Sequence, residues 1–183
     1  MAANRVGKTR AGACEMSWHL TGLYPKWWEG RRFDHPISAW VAGSTGQTTR
    51  DIVQAELLGQ LAPTKERQPG DAIGLGTGMI PLDKIVRVAP RAGGVRNAIE
   101  MAFIRHATGG TSQLGFKSYD QGRESFQGTG KHVIWVDEEC PIDVYLECLT
   151  RLLTTQGIIY LTFTPLLGKT DLVLRFLPSA TMD

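Results

Sequence analysis

The run Val133-Ile134-Trp135-Val136, followed at once by Asp137-Glu138-Glu139, constrains this chain more than any other stretch. Four consecutive apolar residues read as a strand buried on both faces, and strands of that kind belong to parallel sheets covered by helices on each side. Ile158-Ile159-Tyr160-Leu161 repeats the pattern. Between the two runs, Pro141 suits the first turn of a helix whose apolar face, Val144, Cys148 and Leu152, carries it to about Thr154.

The rest of the chain alternates in the same way. Arg10 to Leu23 places Ala13, Met16, Leu20 and Leu23 on one helical face and ends near Gly22. An aromatic and basic loop, Tyr24 to Arg32, follows, with Trp27 and Trp28 expected to cap an edge of the core. Ile37 to Ala42 reads as a strand, and Thr48 to Leu58 as a helix with Ile52, Ala55 and Leu58 inward. Gly59 to Pro81 is expected to be a surface loop, because no apolar strand precedes Gly74-x-Gly76-x-Gly78 to make it a dinucleotide fingerprint. Lys84 to Val88 is a possible strand. Ile99 to His106 and Ser112 to Tyr119 flank Gly109-Gly110 as a β-hairpin, with His106 a strand residue, and Gly168 to Leu177 closes as a short helix. The fold class expected is α/β, with a mostly parallel sheet flanked by helices and ligands at the carboxyl ends of the strands.

At 183 residues, with 42% hydrophobic and 21% charged content, the chain can bury a domain core and lacks the composition of disorder. A net charge of +2 does not announce a nucleic-acid binder by itself, although arginines gather at Arg31-Arg32 and at Arg87, Arg91 and Arg96. Cys14, Cys140 and Cys148 are odd in number and lack metal-ligand spacing, so reduced, intracellular thiols are expected. No apolar run approaches the roughly 18 to 20 residues that span a bilayer, and the chain is expected to be soluble.

Two stretches carry phosphate chemistry. Asn4-Arg5-Val6-Gly7-Lys8-Thr9 ends in G-K-T, the part of a P-loop whose backbone N–H groups, lysine and hydroxyl grip phosphates and Mg²⁺. Ala2 stands where the pattern has its opening glycine, and only Met1 to Ala3 precede the loop, so its usual feeding strand is expected to be absent. Asp137, at a strand end, is then the carboxylate for the metal, and Glu138 the group that orients an attacking water. Thr162 and Thr164 end the next strand, where hydroxyls could sense a γ-phosphate. Arg5 and Arg123 are candidates for charge on the transferring phosphoryl group.

As a set, Asn4 to Thr9, Trp27 to Phe33, Trp40 to Gly43, Phe116 to Arg123, Ile134 to Glu139 and Leu161 to Pro165 resemble the large terminase subunit of tailed bacteriophages, over nearly the whole chain. That resemblance implies a P-loop ATPase domain of the ASCE type, partial over residues 1–183, which uses ATP and Mg²⁺ to drive double-stranded DNA into a procapsid. It implies Asn4, Arg5, Val6, Gly7, Lys8 and Thr9 as the nucleotide-gripping loop and Asp137 and Glu138 as the acidic pair, with Arg5 and Glu138 catalytic and Thr9 and Asp137 at the metal. Thr162 to Thr164 would be the coupling motif. The family's C-terminal nuclease domain is expected to be absent. The implied partners are DNA, a portal protein, a small terminase subunit and further copies in a ring. The implied place is the cytoplasm of the infected bacterium and, transiently, the procapsid portal. A truncated, inactive remnant of such a protein, or another P-loop motor such as a helicase-like ATPase, are the alternatives.

Overall fold

The computed structural model describes residues 7–60 and 74–177. In chain order the elements are α1 (Lys8–Thr21), β1 (Ser38–Gly43), α2 (Gly46–Thr48), a π-helical turn (Thr49–Gln54), α3 (Ala55–Leu58), β2 (Ile85–Pro90), β3 (Ile99–Arg105), β4 (Thr111–Ser118), β5 (Val133–Asp137), α4 (Ile142–Leu152), β6 (Ile158–Thr162) and α5 (Asp171–Leu174). The six strands form one sheet in the order β2-β3-β4-β1-β5-β6. The pairs from β4 through β1 and β5 to β6 are parallel, whereas β2, β3 and β4 pair antiparallel, so the α/β fold has a mixed, mostly parallel sheet.

Strand alternation divides the interior into two cores. Val41, Val133 and Trp135 face α1 and α3, in a cluster with Ala13, Met16, Leu20, Leu57, Leu58 and Phe116. Trp40, Ile134 and Val136 face the other way, against Phe126 and the Val144, Cys148 and Leu152 face of α4. Every residue of β5 is buried, as its composition demands, while β6 is half-buried throughout because it is an outer strand of the described sheet.

Helix α1 docks on β5 and β6 through one missing side chain. At Gly12, a Cβ would lie 2.6 Å from the Trp135 ring, and the Gly12 carbonyl accepts a hydrogen bond from the Tyr160 hydroxyl at 2.8 Å. The helix stops at Thr21 because Gly22 adopts a left-handed conformation (φ 70°) and returns its N–H to the Trp18 carbonyl. Leu23 therefore leaves the helical register and is 49% exposed, contrary to its expected place on the buried face. Trp27 and Trp28 pack edge-to-face on Trp18 at this end, but Trp27 is 68% exposed and the three rings form a surface cluster outside the two cores, contrary to the expected core cap.

Other expectations need correction. The helix expected over 48–58 contains a π-helical turn, whose wider i→i+5 geometry shifts its buried face by about a residue. Val53, Gln54, Leu57 and Leu58 turn inward, and Ile52 turns to solvent. Part of the stretch expected as a surface loop, 61–73, lies outside the described residues. Its end is not a free loop: Met79 and Ile80 donate backbone hydrogen bonds to the Glu56 and Leu57 carbonyls, and Ile80 is fully buried. His106 falls one residue beyond β3, in the hairpin connection, where its Nδ1 meets the Thr108 hydroxyl at 2.8 Å. The final helix is confined to Asp171–Leu174. All three cysteines are free thiols. Among the described residues no helix is long and apolar enough to cross a membrane.

Candidate nucleotide site

The parallel strands β1, β5 and β6 end on one side of the sheet, and α1 begins there. Gly7 takes a left-handed conformation (φ 82°), with its Cβ side open among the described residues, and Lys8 opens the helix. The free N–H groups of a first helical turn and the aligned peptide dipoles favour an anion at such a point. No acidic residue occupies that first turn.

Alternation carries Asp137 to the same face as Trp135, the face on which α1 lies. There the Thr9 hydroxyl donates to Asp137 Oδ1 at 3.1 Å, across 128 residues of sequence. Parallel pairing of β5 with β6 places Thr162 directly opposite Asp137, and the Thr162 hydroxyl donates to the same carboxylate oxygen at 2.6 Å. The Trp135 indole N–H in turn donates to Thr162 Oγ1 at 2.7 Å. Asp137 is only 3% exposed. Burial pushes its carboxyl above the usual range; the hydrogen bonds from Thr162 and Thr9 oppose that push, Glu138 adds to it and the nearby Lys8 charge works against it. A buried carboxylate and a hydroxyl 3.1 Å apart are hard oxygen donors of the kind Mg²⁺ takes together with phosphate oxygens, so the residues present fit that ion.

Glu138 is exposed and holds φ 67°, a left-handed conformation that is strained for a residue with a Cβ. Its N–H is bonded to the Thr162 carbonyl at 3.1 Å. Glu139 is tied down instead, accepting from the Thr170 hydroxyl at the start of α5.

The structure thus brings together Gly7, Lys8, Thr9, Asp137, Glu138 and Thr162 from the sequence expectation. Thr162 arrives with its hydroxyl proton on Asp137, so it supports the carboxylate. Arg123 lies in a 3₁₀ turn and pairs with Glu147 of α4 at 3.1 Å, and Glu147 is also bonded by Arg151. Asn4, Arg5 and Val6 lie outside the described residues. Sequence reading missed Trp135, Tyr160 and Tyr119 as members of this constellation. For Trp135 a signal existed, since a residue two before Asp137 in a strand must share its face.

Against known families, residues 1–181 match the model described as terminase large subunit, T4likevirus-type, N-terminal. The chain belongs to the terminase large subunit family. The large terminase subunit of Salmonella phage P22 is 35% identical over 194 residues, which cover 97% of this chain and 37% of that protein. This terminase chain therefore spans little more than a third of that curated relative's length. Among solved structures, the large terminase ATPase domain of Thermus phage P74-26 superposes with a TM-score of 0.54 at 14% identity, covering 88% of this chain and 56% of that one. A mutant form of the same domain gives 0.53. Those structural matches establish the shared fold.

Proposed function

We propose that this terminase chain binds and hydrolyses ATP with Mg²⁺ at the α1–β5 junction, as the ATPase part of a motor that moves double-stranded viral DNA into a procapsid. The observation that carries this reading is the convergence of Thr9 and Thr162 on one buried oxygen of Asp137 at the start of α1. Lys8 and the first-turn N–H groups would neutralise the β- and γ-phosphates, and the loop residues Asn4, Arg5 and Val6 would complete the grip, with Arg5 adding charge to the transferred group. Thr9 and Asp137 would hold the magnesium ion, which supplies charge neutralisation to the phosphates when bound. Glu138, exposed beside them, would orient the attacking water. Thr162, the last residue of β6, and Thr164, which lies two residues beyond the strand and not at its end as expected, would couple loss of the γ-phosphate to DNA movement. DNA, a portal protein, a small terminase subunit and a ring of like subunits would be its partners, and the cytoplasm of the infected bacterium, with the procapsid portal transiently, would be the setting.

Thermal unfolding with and without a non-hydrolysable MgATP analogue tests the site. At an analogue concentration 100 times Kd the expected stabilisation is about 2.7 kcal/mol, and Lys8→Ala should remove it. Glu138→Gln should keep the stabilisation while abolishing phosphate release. An equal shift in parent and Lys8→Ala, or no shift in the parent, would sink the assignment.

A further inference from the structure

The stretch Phe116 to Arg123 contributes no phosphate ligand to the site described above, yet it delivers one side chain to the back of it. Tyr119 follows β4 and opens a 3₁₀ turn. Its ring is 8% exposed and stacks on Phe126, with centroids 6.5 Å apart and planes at 30°. The phenolic hydroxyl reaches the carboxyl ends of two parallel strands, 2.8 Å from the Asp137 carbonyl and 3.0 Å from the Ala42 carbonyl, with the Glu138 carbonyl at 3.5 Å. A carbonyl oxygen can only accept, so the phenolic O–H is the donor here, and the Asp137 carbonyl is the nearest of the three acceptors.

The Asp137 carbonyl and the Glu138 N–H belong to one peptide group. Its carbonyl end accepts from Tyr119, and its N–H end donates to the Thr162 carbonyl. That peptide joins the carboxylate placed at the metal to the carboxylate placed at the water. It also leads into the left-handed Glu138 backbone, a conformation that persists only where its surroundings enforce it. A rotation of this one peptide plane would re-aim Glu138 without moving β5.

Building on the proposed ATPase reading, we propose that Tyr119 is a positioning residue: its hydroxyl locks the Asp137–Glu138 peptide plane and so aims Glu138 at the attacking water. Its hydroxyl contacts are to the Ala42, Asp137 and Glu138 carbonyls, so in this role Tyr119 acts through Glu138.

The test is Tyr119→Phe, which keeps the ring and its stacking and removes only the hydroxyl. In steady-state hydrolysis kcat should fall about tenfold or more while KM for ATP stays within about twofold. In parallel, backbone amide exchange should accelerate about tenfold at Glu138 to Cys140 and remain unchanged at Val41 and Trp135. A uniform acceleration across the sheet, or a KM effect with kcat intact, would overturn the proposal and leave Tyr119 as packing. The exchange arm needs no turnover: if the parent hydrolyses no ATP, the ATPase reading fails while the exchange pattern still decides whether Tyr119 holds the peptide. Should the variant not fold, the parent decides: a Glu138 amide that exchanges at the rate of an unprotected one shows that nothing holds this peptide.

Discussion

Gly12 sits where α1 meets the Trp135 ring, and the helix can approach β5 only because no side chain intervenes there. Gly12→Ala would set a methyl carbon 2.6 Å from a fully buried indole that is itself stacked on Tyr160 and bonded to Thr162. Neither ring can yield without disturbing its neighbour. Overpacking of this kind costs about 1–3 kcal/mol, so the urea midpoint of Gly12→Ala should fall despite the better helix propensity of alanine. A midpoint equal to or above the parent's would show that α1 shifts freely on the sheet. At this scale the candidate residues were legible by type: Lys8, Thr9, Asp137 and Glu138 stand in patterns that the proposed phosphate chemistry would use, and the fold brings them to the end of β5 and the start of α1. Tyr119 was not legible, because a tyrosine at a strand end looks like any core aromatic until its hydroxyl is seen between two carbonyls.

Among the elements, the π-helical turn Thr49–Gln54 shows how packing overrides a helical repeat read from sequence. Thr45 caps the segment reciprocally with Thr48, and the Thr49 hydroxyl donates to the Lys117 carbonyl of β4. Buried Gln54 then latches the β2–β3 connection with both ends of its amide, donating to the Asn97 carbonyl at 3.1 Å and accepting from the Ile99 N–H at 2.8 Å. Gln54→Leu fills the same space and leaves both backbone groups without partners, at about 1–3 kcal/mol for each group left buried. The variant should lose stability by unfolding titration, and the Ile99 amide should lose protection first. Unchanged protection at Ile99 would assign the latch elsewhere. Periodicity placed Ile52 inward because it assumes 3.6 residues per turn, and a single wider turn is invisible to it.

Across the whole molecule, the ends of the parallel strands differ in chemistry. The carboxyl ends carry Asp137, Glu138 and the start of α1, while His132 stands at the opposite end, just before β5, with its ring 5.4 Å from that of His35. Burial, and then the charge of His35, hold both His132 and His106 below the ordinary histidine range. Each is therefore less readily protonated folded than unfolded. The sign follows from linkage: between the depressed folded value and about 6.5 the unfolded chain binds more protons, so stability is fully present above about pH 6.5 and declines as the pH falls below it. Thermal unfolding between pH 7.5 and 5 should show this decline, and replacing both residues, His106→Asn with His132→Asn, should flatten it. An unaltered slope in the double variant would place the acid sensitivity in other groups.

By itself the sequence determined the α/β class, the buried strand β5, the helices that flank it and the residue types at the candidate site, because burial on both faces and the phosphate chemistry proposed for that site each call for particular side chains at particular spacing. Family membership followed from the same stretches. Only the tertiary structure decided that Thr9 and Thr162 meet on one oxygen of Asp137, that Glu138 is held in a left-handed turn, and that Tyr119 reaches the peptide between the two acids. Those contacts join residues as far apart as 128 positions and depend on strand order and register. Local pattern fixes what a segment can be, whereas non-local pairing fixes what it touches.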